Sequence, residues 1–187
     1  MKSQKKPLII LLAAAIGVAA QAANAESVLR RGNGSEPHSL DPQTAEGVPE
    51  SNILRDLFEG LIGEDASGNL VPGVAEKWEI SEDGKTYTFH LRENAKWSND
   101  TPVTAGDFVY AWRRGVDPAV GSKYSFFLYP VKNAKEIVEG KQPLDALGVS
   151  APDDKTLVVE LNNPTPYFTG LLINAVTYPV PRLSLIH

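Results

Sequence analysis

The sequence predicts an α/β fold in which a mixed, largely antiparallel sheet is flanked by short helices. Two observations lead to this fold class. Apolar and polar residues alternate in short runs on both sides of turn residues, the pattern of β-hairpins with one buried face. Between the two predicted hairpins, a run with helical spacing begins at a capping signal and ends near a glycine.

The first predicted hairpin surrounds Asp83-Gly84, a pair that suits a turn with positive φ. Before the turn, Trp78 and Ile80 alternate with polar residues. After the turn, side chains alternate between two faces, with Tyr87, Phe89 and Leu91 on one and Thr86, Thr88 and His90 on the other. This arrangement indicates an antiparallel pair with one buried face and one solvated face.

A helix is predicted to begin at Thr104, because Asp107 stands three positions later in the spacing of a capping box. Its apolar stripe consists of Phe108, Val109, Ala111 and Trp112. The basic pair Arg113-Arg114 suits the last turn, where positive charge interacts favourably with the helix dipole. Gly115 is then expected to end the helix.

Another helix is predicted over residues 49–59, with Pro49 in its first turn and Gly60 as its terminator. Its inward side chains are expected to be Ile53, Leu54, Leu57 and Phe58. Residues 61–64 read as a strand, and residues 28–31 as a short strand candidate. Residues 34–49 lack any period and are expected to form a loop, the kind of segment that often carries function.

The second predicted hairpin pairs residues 149–151 with residues 156–161 around Asp153-Asp154-Lys155. Its apolar, β-branched sequence LVVEL suggests a strand covered on both faces or nearly so. Short helices are predicted at residues 134–139, 143–147 and 167–172.

The first 25 residues have the features of a secretory signal peptide: basic residues, an apolar stretch, and the cleavage site Ala23-Asn24-Ala25. The apolar stretch is shorter than the ~20 residues that span a bilayer, so no membrane anchor is expected. This segment holds three of the 18 basic residues and none of the 23 acidic ones, so its removal changes the formal charge from −5 to −8. That balance disfavours nucleic acid and anionic lipid as partners. Cysteine is absent, so neither a disulfide framework nor a lipid-modified cysteine is expected.

The sequence offers little that suggests catalysis or a metal site. The histidines His38, His90 and His187 are far apart and lack the spacing of metal ligands. Together, His38, Ser39 and Asp41 contain the residue types of a hydrolase triad, but triad members converge from separate segments. A secreted hydrolase that uses these three residues therefore stays open only as an alternative from another functional class. We expect a protein that is not an enzyme and needs no cofactor.

One segment carries a family resemblance: residues 75–114, AEKWEISEDGKTYTFHLRENAKWSNDTPVTAGDFVYAWRR. It resembles the signature region of the extracytoplasmic solute-binding proteins that serve peptide ABC importers, and most of all their periplasmic oligopeptide-binding members. The resemblance extends from about residue 28 to residue 182. One departure is Asn99-Asp100, where the family has Asp-Gly after Trp-Ser. Because Asn and Asp both adopt left-handed backbone angles, we expect the turn to persist.

The resemblance implies a periplasmic, monomeric protein that captures oligopeptides and delivers them to the permease subunits of an inner-membrane ABC importer. The family holds the ligand mainly through its main chain, in the manner of strand addition. The residues that match its ligand contacts are Glu46, Gly47 and Val48 in one loop, and Tyr124 in an irregular stretch. The nearest alternative is a paralogue that binds murein peptide, dipeptide, nickel or haem.

The resemblance also implies a division of the chain. Residues 26–58 match the start of a first, hinge-bearing lobe, residues 59–182 match a small α/β lobe, and residues 183–187 form a tail outside the family pattern. The family continues for several hundred residues beyond this point and places its capture site for the peptide N-terminus there. We therefore expect an incomplete two-lobed periplasmic binding fold, the N-terminal part of a longer protein, that binds peptide poorly by itself.

Overall fold

The computed structural model describes residues 30–182. The predicted signal peptide, residues 28–29 of the strand candidate at 28–31 and the tail at 183–187 lie outside the described residues, and residues 30–31 are not in a strand. From Asn33 onward the described residues form one compact unit, to which the following description refers. The predicted boundary at residue 58 stays a prediction.

Six strands form two antiparallel sheets within the described residues. Strands β1 (Ile62–Glu64) and β2 (Leu70–Pro72) make a two-stranded sheet. The larger sheet contains β3 (Ala75–Ile80), β4 (Thr86–Leu91), β5 (Val149–Asp153) and β6 (Thr156–Glu160) in the order β3-β4-β6-β5. Both predicted hairpins are present, β3 with β4 and β5 with β6, and β4 pairs with β6 to join them. The predicted fold class, helices with a largely antiparallel sheet, is confirmed.

One face of the larger sheet is buried, as the alternation predicts. In β4 the apolar set Tyr87, Phe89 and Leu91 is almost fully buried, and the residues between them are half-buried. In β6 Leu157 and Val159 are buried, whereas Val158 on the other face is only partly covered. The strand is thus buried on one face and partly covered at Val158 on the other, so the predicted cover on both faces, or nearly so, is present only in part.

Helix α2 (Ala105–Val116) covers the buried face and contacts β5 and β6. At its start the Asp107 carboxylate accepts the backbone N–H of Thr104 at 2.9 Å, which confirms the predicted cap. Its buried side includes Phe108, Ala111 and Trp112. Gly115 does not end the helix; it lies within the last turn and is buried, so that prediction is wrong.

Helix α1 (Val48–Leu57) begins one residue before Pro49 and ends earlier than predicted. Phe58, rather than Gly60, follows its last residue, and the Phe58 N–H donates to the carbonyl of Leu54. Leu54 is fully buried, but Leu57 is 62% exposed, so its predicted inward position is wrong.

The remaining elements are short. They comprise α3 (Ala134–Val138), α4 (Phe168–Leu171) and 3-10 turns at Ser125–Leu128, Leu144–Ala146 and Ala175–Thr177. The predicted turn at Asn99-Asp100 is present, with Asp100 at φ 66°. No helix within residues 30–182 has the length and apolar character needed to cross a membrane.

Candidate functional site

A cleft of about 560 Å3 lies among three segments of the chain. The first wall is formed by the end of the loop at Ala45 and by one side of α1. The second wall is the turn that carries Tyr124 and Phe127, and the third is the stretch from Gly170 to Ala175. Three of the four residues that the family resemblance singled out, Gly47, Val48 and Tyr124, therefore line one cavity.

The loop that enters α1 has a backbone that favours glycine. Gly47 has a φ of 114°, and a methyl group added to it would lie 3.1 Å from the Glu50 carboxylate. Glu50 is 2% exposed and accepts the backbone N–H of His38 at 2.8 Å, which lowers the pKa of that carboxyl group. These contacts hold the loop against the first turn of the helix. Val48 remains 71% exposed at the rim of the cleft.

Glu46 is exposed and is not among the residues that line the cleft. It lies between Ala45 and Gly47, which do line the cleft. The structure thus brings together three of the predicted site residues and leaves the fourth beside them.

Tyr124 is half-buried and directly precedes the 3-10 turn Ser125–Leu128. Its ring meets those of Phe126 and Phe127 edge to face, at centroid distances of 5.9 and 6.1 Å. Such pairs fix ring orientation, because the positive edge of one ring faces the negative face of another. Tyr124 is therefore held in a defined position on the cleft wall.

Sequence reasoning missed three lining residues on the helix face that carries Val48. Ser51, Asn52 and Arg55 line the cleft from α1 together with Val48. The four residues occupy positions i, i+3, i+4 and i+7, the spacing of one helix face. The polar stripe of the three missed residues was the signal that could have found them. It adds hydroxyl, amide and guanidinium groups, which can hydrogen-bond main-chain carbonyls or a carboxylate.

The residues of the hydrolase alternative do not form a triad. The Asp41 carboxylate is held by the guanidinium of Arg114, with oxygen–nitrogen distances of 2.6 and 3.0 Å. The Ser39 hydroxyl is 2.9 Å from that of Thr44 and accepts the Asp41 N–H at 3.1 Å. Burial raises the pKa of Asp41, but hydrogen bonds from Arg114 and the Gln43 N–H outweigh it and lower the pKa. Asp41 is thus a structural anion.

Two further side chains of the types that bind metals, Asp65 and His90, lie close to neighbouring residues. The Asp65 carboxylate accepts the backbone N–H groups of Ser67 and Asn69 at 2.8 and 2.9 Å, and closes an ordinary turn. His90 lies on the half-buried face of β4, with its Nε2 3.5 Å from a Glu79 carboxylate oxygen. In the part of the chain that the structure describes, no three histidine or acidic side chains are grouped as metal ligands.

Comparison with known proteins shows the family of this chain. A model of the bacterial extracellular solute-binding proteins, family 5 (middle region), matches residues 69–183. The chain belongs to this family. Its members are solute-binding proteins rather than enzymes.

Two relatives from Escherichia coli K12 illustrate the similarity. The chain is 54% identical over 162 residues to the periplasmic oligopeptide-binding protein OppA, covering 86% of this chain and 30% of OppA. It is 47% identical over 152 residues to the periplasmic murein peptide-binding protein MppA, covering 80% of this chain and 28% of MppA. The chain therefore spans roughly a third or less of the length of these relatives.

Solved structures agree with the fold. OppA of Haemophilus influenzae in complex with RPPGFSPFR superposes with a TM-score of 0.78 at 52% identity, over 80% of this chain and 29% of that one. The unliganded, open form of MppA superposes with a TM-score of 0.78 at 47% identity, over 81% of this chain and 30% of that one.

Proposed function

We propose that this chain contributes to the capture of oligopeptides in the periplasm for an ABC-type importer. It acts there without catalysis, as a monomer, and its protein partners are the permease subunits in the inner membrane. The observation that carries the proposal is the 54% identity to a periplasmic oligopeptide-binding protein over 162 residues. The cleft lined by Gly47, Val48 and Tyr124 supports it.

In this proposal the cleft binds the main chain of the peptide, which all peptides share. The loop at residues 46–48 offers main-chain N–H and C=O groups at the cavity mouth, and Glu46 adds a carboxylate. Tyr124 supplies an aromatic wall with a polar tip. Because main-chain hydrogen bonds do not depend on the ligand's side chains, such a site accepts many sequences.

A chimera tests the proposal. The 162 matching residues of E. coli OppA are replaced by those of this chain, and binding of tri- to pentapeptides is measured by titration calorimetry. We expect micromolar or tighter binding, which corresponds to about −8 kcal/mol or better. A chimera that folds, as judged by circular dichroism, but binds none of these peptides would contradict the proposal. Binding of murein tripeptide alone would favour the MppA-like alternative.

A pair of tyrosine variants tests the cleft itself. In the chimera, Tyr124→Ala removes one wall of the cavity, and we expect the peptide Kd to rise by about tenfold, equivalent to ~1.4 kcal/mol. Tyr167→Ala is the matched control, because Tyr167 is 66% exposed and lies outside this cleft. Equal effects of the two variants would mean that Tyr124 has no special role.

A further inference from the structure

The first wall of the cleft is tied to helix α2 through one arginine. Arg114, in the last turn of α2, donates from Nη1 and Nη2 to the two carboxylate oxygens of Asp41 at 3.0 and 2.6 Å. Its Nη1 also donates to the side-chain oxygen of Gln43 at 2.8 Å. Asp41 in turn accepts the N–H groups of Thr44 and Ala45 through its backbone carbonyl at 3.0 and 2.9 Å. The loop that leads to Gly47 thus begins at a residue held by Arg114.

The same arginine reaches the third wall through Gln43. This side chain is 1% exposed, and its amide nitrogen donates to the carbonyls of Val176 and Tyr178 at 3.3 and 3.1 Å. Val176 directly follows the cleft residues Asn174 and Ala175, and Tyr178 comes two residues after Val176. Since the Gln43 side chain accepts from Arg114 at one atom and donates at the other, its orientation is fully determined by its partners.

Two further residues of α2 contact segments that carry or adjoin the cleft walls. The Trp112 indole N–H donates to the carbonyl of Thr177 at 2.8 Å, two residues after the end of the third wall. Gly115 packs so closely that an added methyl carbon would lie 2.9 Å from Leu128 and 3.5 Å from Val176. Leu128 belongs to the 3-10 turn that carries the second wall.

We propose that the last turn of α2, residues 112–115, sets the spacing of the three cleft walls, with Arg114 as the positioning residue for the loop at 46–48. This inference rests on the proposed function only in calling the cleft a peptide site. Arg114 suits the task because a guanidinium is planar and presents several donors in fixed directions. Lysine carries the same charge but cannot hold Asp41 with two bonds and Gln43 with a third in this geometry.

Hydrogen exchange of the full chain, followed residue by residue, tests the positioning role without any peptide. In Arg114→Lys we expect amide exchange at Thr44 and Ala45 to accelerate by about tenfold, while the β3–β4 hairpin keeps its protection. Arg92→Lys is the matched control. Arg92 donates to both carboxylate oxygens of Glu59 at 2.8 and 2.6 Å, on another part of the molecule. It should leave the loop amides unchanged.

Two results would overturn the inference. One is unchanged exchange at the loop in Arg114→Lys, and the other is an equal acceleration over the whole chain, which is the signature of a purely stabilising role. Gly115→Ala adds a second variant that keeps the charge network. We expect it to alter exchange in the 3-10 turn Ser125–Leu128 and near Val176, and unchanged exchange in both places would also count against the inference.

Peptide titration of the OppA chimera separates this inference from the proposed function. If the parent chimera binds peptide and Arg114→Lys raises the Kd several-fold while Arg92→Lys does not, both stand. If the parent binds and neither variant changes the loop or the Kd, the positioning role fails and the function stands. If the parent does not bind but the loop amides respond to Arg114→Lys, the function fails and the positioning role stands.

Discussion

Replacing Asp41 with asparagine tests the ion pair that joins the cleft loop to helix α2. The Asp41 and Arg114 side chains are 22% and 18% exposed, and their closest nitrogen–oxygen distance is 2.6 Å. Exposed pairs contribute about 0.2–1 kcal/mol, whereas breaking a fully buried pair costs about 3–5 kcal/mol. Partial burial places this pair between those limits, and asparagine keeps one acceptor for Arg114. We therefore expect Asp41→Asn to lower the free energy of unfolding by about 2 kcal/mol.

Urea unfolding followed by tryptophan fluorescence measures this loss at neutral pH. For a chain of this size, about 2 kcal/mol corresponds to a fall in Tm of roughly 4–8 °C. Glu59→Gln provides the comparison, because it breaks a pair with Arg92 whose side chains are 49% and 31% exposed. Solvent screens that pair more strongly, so its loss should cost less than about 1 kcal/mol.

The stability difference between the parent and Asp41→Asn should also depend on pH, in a direction that follows from the pKa of Asp41. The pKa of Asp41 is lower in the folded protein than in the unfolded chain, because hydrogen bonds to the carboxylate outweigh the effect of burial. Its contribution is therefore complete above the unfolded pKa of about 4 and is lost as the pH falls through the folded pKa. The stability difference between the parent and Asp41→Asn should stay constant from about pH 8 to pH 5 and shrink below about pH 4. Equal losses in Asp41→Asn and Glu59→Gln, or a difference that grows on acidification, would refute the reasoning.

Three further substitutions test contacts that stabilise the rest of the fold. Gly73→Ala places a methyl carbon 2.5 Å from a backbone carbonyl oxygen and should lower the free energy of unfolding in urea by more than about 3 kcal/mol. Gly170→Ala is the control, because its added methyl carbon has no atom within 4 Å and should lower the free energy far less. Similar losses in the two variants would contradict the steric argument. Asp107→Ala removes the cap of α2 and should cost about 1 kcal/mol, with a change in Trp97 emission because the indole N–H donates to that carboxylate at 3.3 Å. Tyr87→Phe loses one buried hydrogen bond of 3.1 Å and should cost about 1 kcal/mol with an unchanged urea m value; a changed m value would indicate a wider effect.

Local signals predicted most of the secondary structure. The hairpin around Asp83-Gly84 and the cap of α2 by Asp107 are both present, since each depends on residues only a few positions apart. The turn at Asn99-Asp100 also persists, because aspartate adopts the left-handed angles that the turn requires. Short-range geometry of this kind is encoded in the local sequence.

The errors occur where a distant contact overrides a local signal. Gly115 reads as a helix terminator, yet the helix runs on to Val116, and the missing side chain instead leaves space for Leu128 and Val176. Leu57 fits the apolar stripe of α1, yet it is 62% exposed because no element of the described chain covers that position. The LVVEL strand has Val158 on its second face, but that face is only partly covered and Glu160 on it is exposed.

By itself, the sequence determined the antiparallel hairpins, the capped helix, the acidic charge and the family resemblance. Only the tertiary structure decided that Gly47, Val48 and Tyr124 line one cavity, while Glu46 lies beside it. It alone showed that residues 112–115 contact segments that carry or directly adjoin the three walls of that cavity. The physical reason is distance along the chain: caps and turns form between near neighbours, whereas Arg114 and Asp41 are 73 positions apart and meet only after the chain has packed.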